Sequence, residues 1–360
     1  MIVSVPTLTS PPGLNELKRR LRSWLTCSAA NSDGAFVGWI DRKTGRPSFE
    51  YPEITGYALT FLAGLDDLTD EEHALGCRAA RWLLERLAYG RTAPHERYGV
   101  GLEYSFDLAM ISTGLQRFGA VISDDELVAT GRVVAGRLAG EVAAHGWLEP
   151  LTRSSRNTGR SAWSTRGHAH LLKATQCLLL ADRGGVAGSR DAADAIVTRG
   201  VADLQADGRF RTDPDASTTM VHPHLYAVEG LWIYARGTGD SVADACARSA
   251  MAWAWSQQTQ SGGFPRWVAE RRSDKESIAP EQGDVTAQAV RAAALMGIRG
   301  ANVGQAVLWL GRSAVQVSEG CAIAYQPTTP PAHLNAWATM SAHQALDALS
   351  GRELKWDELV

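Results

Sequence analysis

The 360-residue chain lacks most of the features that assign a protein quickly. No stretch of about 18 uninterrupted apolar residues exists, which excludes a membrane-spanning helix. Met1 to Gly13 holds no basic segment followed by an apolar run, so no secretory leader and a cytoplasmic location are expected. Charge of one sign is missing too: 36 Lys and Arg stand against 39 Asp and Glu, a formal net charge of −3. That balance argues against a protein that coats nucleic acid. Cysteine is sparse. The five, Cys27, Cys77, Cys177, Cys246 and Cys321, are odd in number and widely separated, with no C-x-x-C pair. They read as reduced, largely buried thiols rather than as disulfides or zinc ligands. The phosphate-binding G-x-x-x-x-G-K-[ST] and a G-x-G-x-x-G between strand and helix are absent as well. Neither a cofactor nor a metal is expected. No proline-rich, glycine/serine-rich or charged linker divides the chain, so residues 1–360 read as one domain, with 1–12 as an extended arm.

What is present is helix periodicity. Leu14, Leu17, Leu21, Trp24 and Leu25 mark one apolar face, and Ala74, Cys77, Ala80, Trp82, Leu84 and Leu87 another. Further amphipathic helices are predicted over 123–144, 189–206, 241–258 and 302–317. Ser123 to Glu126 resembles a helix-starting cluster, and Ser241 and Asn302 are candidate caps. Between these segments a loop cadence recurs: glycine, an apolar or aromatic residue, then a second helix. It is read in DGAFVGWI, GVGLEYSF, HGWLEP, DGRFRTD, GGFPRWV and GCAIAYQP. The spacing averages roughly sixty residues, a repeat signal. The second helix of each pair is apolar all round, as in Leu108–Ile111, Leu171–Leu180, Val285–Met296 and Ala336–Leu346. Such helices belong inside, and the charged first helices outside. A hairpin of this kind buries its apolar face only by stacking on a neighbour, and curvature can close the stack into a ring.

This cadence, the G-G-F loop and the segments YPEITGYAL (Tyr51–Leu59), GDVTAQAVRAA (Gly283–Ala293) and NAWATMSAHQAL (Asn335–Leu346) resemble the six-hairpin (α/α)6 toroids. That group spans six-hairpin glycosidases, glycan lyases and epimerases, and terpenoid-cyclase and prenyltransferase-like barrels. The resemblance covers nearly the whole chain. It implies an all-α toroid of about six hairpins, with inner and outer rings and short irregular or β-like loops at one end. It does not choose a chemistry, because this architecture hosts many.

In such a ring the first turns of the inner helices surround one bowl. Glu53 and Asp284 are then paired carboxylates, suited to proton donation and to base or nucleophile work on a glycoside. Both positions also suit plain helix capping. His222, His224 and Tyr226 gather at one helix mouth and His168 and His170 at another, with Tyr57 nearby in sequence to Glu53; these groups can move a proton beside a carboxylate. H-x-H can also ligate a metal, but no third ligand is identifiable. Arg153, Arg156, Arg160 and Arg166 crowd one loop whose guanidinium forks suit a carboxylate, sulfate or phosphate. Tyr104, Asp107, Trp163, Glu281, Gln288, His333, Asn335 and Trp337 complete the predicted lining, and Trp39, Trp147 and Trp267 stand beside it.

The expected function is an intracellular carbohydrate-active enzyme using acid/base chemistry on an anionic sugar or glycoconjugate, a small molecule or oligosaccharide held by the arginine loop, with hydrolysis, elimination and epimerisation left open. A terpenoid cyclase is the alternative enzyme, although neither Asp213 with Asp215 nor Asp124 with Asp125 reproduces the D-x-D-D proton donor, and prenyltransferase zinc ligands are not recognisable. A toroid that only binds a glycan or a partner protein is the third reading. Oligomeric state is not written in the pattern.

Overall fold

The structure, a computed structural model, describes residues 11–30, 33–90, 92, 103–150, 167–212, 218–269, 279–298, 301–327 and 333–360. Among them, helices alternate between an amphipathic and a buried kind. The outer series is α1 (Pro11–Cys27), α3 (Asp70–Ala88), α5 (Asp125–His145), α7 (Ser189–Asp203), α9 (Ser241–Trp255) and α11 (Ala301–Ser313). The inner series is α2 (Pro52–Ala63), α4 (Ser105–Ile122), α6 (Thr175–Arg183, preceded by a 3-10 segment, Ala169–Ala174), α8 (Val221–Thr238), α10 (Gly283–Leu295) and α12 (Ala336–Leu349). The division follows composition: every residue of α2 is buried, whereas α3 buries only one stripe.

Inner helices approach so closely that glycine is required at the contacts. A Cβ on Gly114 would lie 2.3 Å from the Gly56 carbonyl oxygen, and one on Gly230 2.3 Å from the Leu172 carbonyl oxygen. These positions hold α2 against α4, and α8 against the 3-10 segment, backbone to backbone. The last inner helix, α12, packs on α1 and α2 and so closes the ring. One apolar cluster runs through it from Leu17 to Val360.

Strands are few and short. β1 (Trp39–Asp41) pairs with β6 (His333–Asn335), joining the loop of the first hairpin to that of the last. β2 (Thr218–Met220) pairs with β3 (Trp267–Ala269), and β4 (Ala314–Val317) with β5 (Gly320–Ile323). All these loops lead into inner helices, so the ribbons lie at the end where those helices begin. No described helix is long and apolar enough to cross a membrane.

Local expectations need several corrections. The segment predicted as helix over 302–317 is helical only to Ser313, after which Ala314–Val317 is strand. Asp240, not Ser241, caps α9, accepting from Val242 N at 2.8 Å and Ala243 N at 2.9 Å. Asn302 lies inside α11 rather than ahead of it. Asp124 caps α5 while Ser123 takes the left-handed conformation, φ 59°. Cys27 is exposed and only Cys177 and Cys321 are buried, so the thiols are less uniformly interior than expected; all five are free. Residues 1–10 of the predicted arm lie outside the described residues, and Pro11 and Pro12 already belong to α1.

Candidate active site

The site grows from helix starts. Pro52 occupies the first position of α2, where its fixed φ suits a helix and its missing N–H costs nothing. Glu53 follows and is buried. Asp107 is the third residue of α4 and fully buried. His170 sits on the 3-10 segment ahead of α6, His222 second on α8, Asp284 second on α10 and Trp337 second on α12. Each inner helix thus presents one such side chain from its first turn, and all six face the same end of the ring.

These side chains are linked. His222 Nδ1 lies 2.9 Å from Gln288 Oε1 and 3.8 Å from Asp284 Oδ2. With Gln288 Oε1 as acceptor, Nδ1 carries the proton and Nε2 keeps its lone pair. Asp284 accepts from its neighbour Val285 N at 2.9 Å and from Trp337 Nε1 at 3.2 Å. The His222 ring lies 4.4 Å from that of Tyr226, and Tyr57 donates its hydroxyl to Tyr226 at 3.0 Å. Phe106 bridges Tyr226 at 4.9 Å and His170 at 5.5 Å.

Protonation follows from dryness. Burial lifts the Glu53 carboxyl to about 7, against the opposing pull of Tyr51, Asp107 and Lys173. Asp107 is lifted well above the carboxylate range by burial and by the adjacent Glu53. Two carboxyls in one dry place do not both ionise near neutrality, so the pair retains a proton. Burial also holds His222 below the usual imidazole value, Asp284 and Gln288 pulling the other way, and pushes His170 down to about 3. Both imidazoles are neutral at pH 7.

Five buried atoms here have no hydrogen-bond partner among the described residues: Glu53 Oε2, both carboxyl oxygens of Asp107, His170 Nε2 and Gln288 Nε2. Interior polar atoms are nearly always paired, so a cluster of orphans at one mouth marks a place a polar ligand fills.

Beneath the tyrosines lies a charged floor. Lys173 Nζ sits 5.3 Å from the Tyr57 ring and 5.1 Å from the Tyr226 ring. It donates to Glu229 at 2.8 Å and to the Val360 carbonyl. Arg291 donates to the other Glu229 oxygen and, at 2.7 Å, to Gln344 Oε1. Lys173, Glu229 and Arg291 are all buried.

No family model matches the chain, and no curated protein matches it in sequence. Solved structures do. An unsaturated glucuronyl hydrolase from Bacillus sp. GL1, responsible for the degradation of glycosaminoglycan, superposes with a TM-score of 0.73 at 12% identity, over 93% of this chain and 96% of that one. A cellobiose 2-epimerase from Bacillus thermoamylovorans gives 0.70 at 11% identity, over 95% and 99%. A D-mannose isomerase gives 0.72 at 13% identity, over 97% and 99%. The chain has the six-hairpin (α/α)6 toroid fold.

The mouth of the toroid gathers Glu53, Tyr57, Asp107, His170, His222, Tyr226, Asp284, Gln288 and Trp337. Other predicted members go elsewhere. His224 is turned outward: its Nδ1 accepts from Phe210 N at 3.2 Å and its Nε2 donates to Ala250 O at 2.9 Å, so both ring nitrogens are engaged in joining α8 to its surroundings. The H-x-H spacing places alternate residues on different faces of a helix, which is why one histidine meets the bowl and the other does not. Asn335 caps α12, accepting from Ala338 N at 2.8 Å. His168 lies against Trp147, ring centroids 3.8 Å apart, and lines a small cavity with Arg199 and Asp203 of the outer helix α7. Glu281 is held by Thr259, Ser261 and the Trp309 indole. Arg153, Arg156, Arg160, Trp163 and Arg166 lie outside the described residues, as do Asp213 and Asp215. Sequence reasoning missed Lys173, Glu229 and Arg291. The available signal was a charged residue set into the apolar stretch of each of three inner elements, the 3-10 segment Ala169–Ala174, α8 and α10.

Proposed function

We propose that this toroid is an enzyme that moves protons on a sugar, with Glu53 as proton donor and His222 as base. The observation that carries the reading is the cluster of orphaned acid and base atoms at the common mouth. A carboxyl held near 7 retains a proton to donate at physiological pH, and a neutral imidazole with a free Nε2 accepts one. Asp284 and Gln288 orient His222, Tyr57 positions Tyr226, and Asp107 is the second member of the buried carboxyl pair that retains a proton. The similar solved structures include enzymes named for a glucuronyl hydrolase, a sugar epimerase and a sugar isomerase, which supports a sugar substrate.

Proton transfer at carbon is the first reading, because two neutral imidazoles, His222 and His170, flank one mouth. Base abstraction beside the carbonyl of an open-chain sugar, with Glu53 protonating the developing oxyanion, then return of the proton, gives epimerisation or isomerisation. Hydrolysis is the second, favoured by the proton-sharing pair Glu53 and Asp107. A charged floor of Lys173, Glu229 and Arg291 suits an ionic or polar ligand better than the carbocation of a terpenoid cyclase. An anionic substrate fits if Arg153, Arg156 and Arg166 reach the mouth.

Proton NMR in D2O tests this with mannose, cellobiose and an unsaturated glucuronyl disaccharide as probes. Deuterium entering a reducing sugar at the carbon beside the carbonyl, reduced about 100-fold or more in His222→Asn, supports the first reading. Cleavage of the disaccharide, lost in Glu53→Gln, supports the second. Neither exchange nor cleavage with any probe would overturn the enzymatic proposal in favour of a binding toroid.

A further inference from the structure

The opposite end of the toroid, where the inner helices finish, holds a cavity of about 580 Å3. Its wall comes from the last turns of α6, α8, α10 and α12 and from residues 351–357. The volume falls in the range of small-molecule sites. It is separated from the acid/base mouth by the length of the inner helices, and nothing in the proposed reaction uses it.

The wall is cationic in a specific way. Arg183, Arg236 and Lys355 face the cavity, and none has a carboxylate partner among the described residues. A fourth cation, Arg352, is already paired with Asp66, Asp347 and Glu358. Of the two wall carboxylates, Asp357 is bonded to Arg117 at 2.9 Å, which leaves Glu353 facing the three free cations. The guanidiniums are also oriented. Arg183 lies over the Trp356 ring at 4.4 Å and Arg236 over the Trp232 ring at 5.6 Å. A guanidinium stacked on an indole keeps its N–H donors in the plane, free for an acceptor.

Basic residues are favoured at helix C-termini for their own sake, through the helix dipole. Here the terminal carbonyls are met by backbone instead: Gly184 N donates to Leu180 O at 3.1 Å and Gly239 N to Ala235 O at 2.8 Å. Neither guanidinium makes a bond to them, so the donors are unspent. A second, independent sign is Trp232. It is 5% exposed, lines the cavity, and its buried Nε1–H has no partner. A buried donor left unbonded beside a cavity indicates an acceptor that enters from it.

We propose that this cavity is a second ligand site, taking a small organic anion of about sugar size whose phosphate or carboxylate is held by Arg183, Arg236 and Lys355 while a polar oxygen accepts from Trp232 Nε1.

Isothermal titration with glucose 6-phosphate, glucuronate, inorganic phosphate and uncharged glucose tests the site. At least one of the sugar anions is expected to bind, and the Arg183→Gln/Arg236→Gln double variant to bind it at least about tenfold more weakly. Glucose is expected not to bind in a way that the double variant alters. The phosphate and carboxylate arms tell the two anion classes apart. The indole N–H signal assigned by Trp232→Phe is expected to shift in wild type on adding the binding anion, which keeps the test decisive if the double variant folds poorly. No binding of either sugar anion up to about 10 mM, or binding that leaves the Trp232 signal unmoved and the double variant unaffected, overturns the proposal.

Discussion

Glu229 is the pivot of the buried floor, and replacing it with Gln is the most searching perturbation of the architecture. One carboxylate there faces two buried cations, Lys173 at 2.8 Å and Arg291. Removing the charge leaves two like charges in a dry interior, held by the Val360 main-chain oxygen and the Gln344 amide. Breaking a buried pair in this way costs about 3–5 kcal/mol. A 360-residue chain unfolds with about 0.75 kcal/mol per degree, so Glu229→Gln is expected to lower Tm by about 4–7 °C. The deficit also depends on pH. Burial already holds Lys173 down to about 8, and Glu229 is what keeps it from falling further. In the variant the lysine therefore sheds its proton at lower pH than in wild type. Below both values the full repulsion is present; once both lysines are neutral it is relieved. The difference between the two proteins should accordingly narrow as pH rises towards about 8. Calorimetry of both proteins from pH 5 to 9 reads this directly. A control separates charge from packing: Lys173→Met/Glu229→Leu/Arg291→Met removes all three charges, and should lie nearer to wild type than Glu229→Gln does. A triple variant at least as unstable as the single one, or a single variant within about 1 °C of wild type, refutes the argument that electrostatics hold this floor.

Four further outcomes follow, three from the mouth and one from the outward-facing His224. Turnover should be bell-shaped in pH: the basic limb falls as Glu53 loses its proton near 7, and the acidic limb falls as His222 gains one below its ordinary value. Glu53→Gln should lower kcat by about 10²–10⁴-fold without moving the acidic limb, measured as kcat/KM against pH. Asp107 draws the Glu53 carboxyl down against the lift of burial, so Asp107→Ala should move the basic limb upward; a limb left where it is in wild type would remove Asp107 from this role. His224→Phe strands Phe210 N and Ala250 O and should cost about 1–3 kcal/mol of stability, read by denaturant unfolding, with kcat nearly unchanged.

The ring was legible because its physics is repetitive. A helix with a charged face and an apolar face must lie outside, one without a charged face must lie inside, and six repetitions of that alternation leave little but a closed palisade. Helix starts were legible for a related reason: residues such as Glu53 and Asp284 follow a loop glycine or a proline at a fixed remove, so their place at the mouth follows from chain order. What chain order does not carry is azimuth. Two residues apart on a helix means about 200° of rotation, and that alone sends His222 to the bowl and His224 to the outer wall. Partner choice is equally hidden: Asn335 reads as a polar lining residue until Ala338 N is found 2.8 Å from its side chain. The buried Lys173–Glu229–Arg291 set was missed for the opposite reason. Each charge stands in a different inner element, about sixty residues from the next, and reads as an isolated blemish in an apolar run. Yet a buried charge requires a countercharge, and three inner elements that each set one charge into an apolar stretch, of signs +, − and +, satisfy that requirement by meeting at the centre of the ring. Lone charges on apolar helices are therefore better read jointly, as evidence of which helices touch, than one by one.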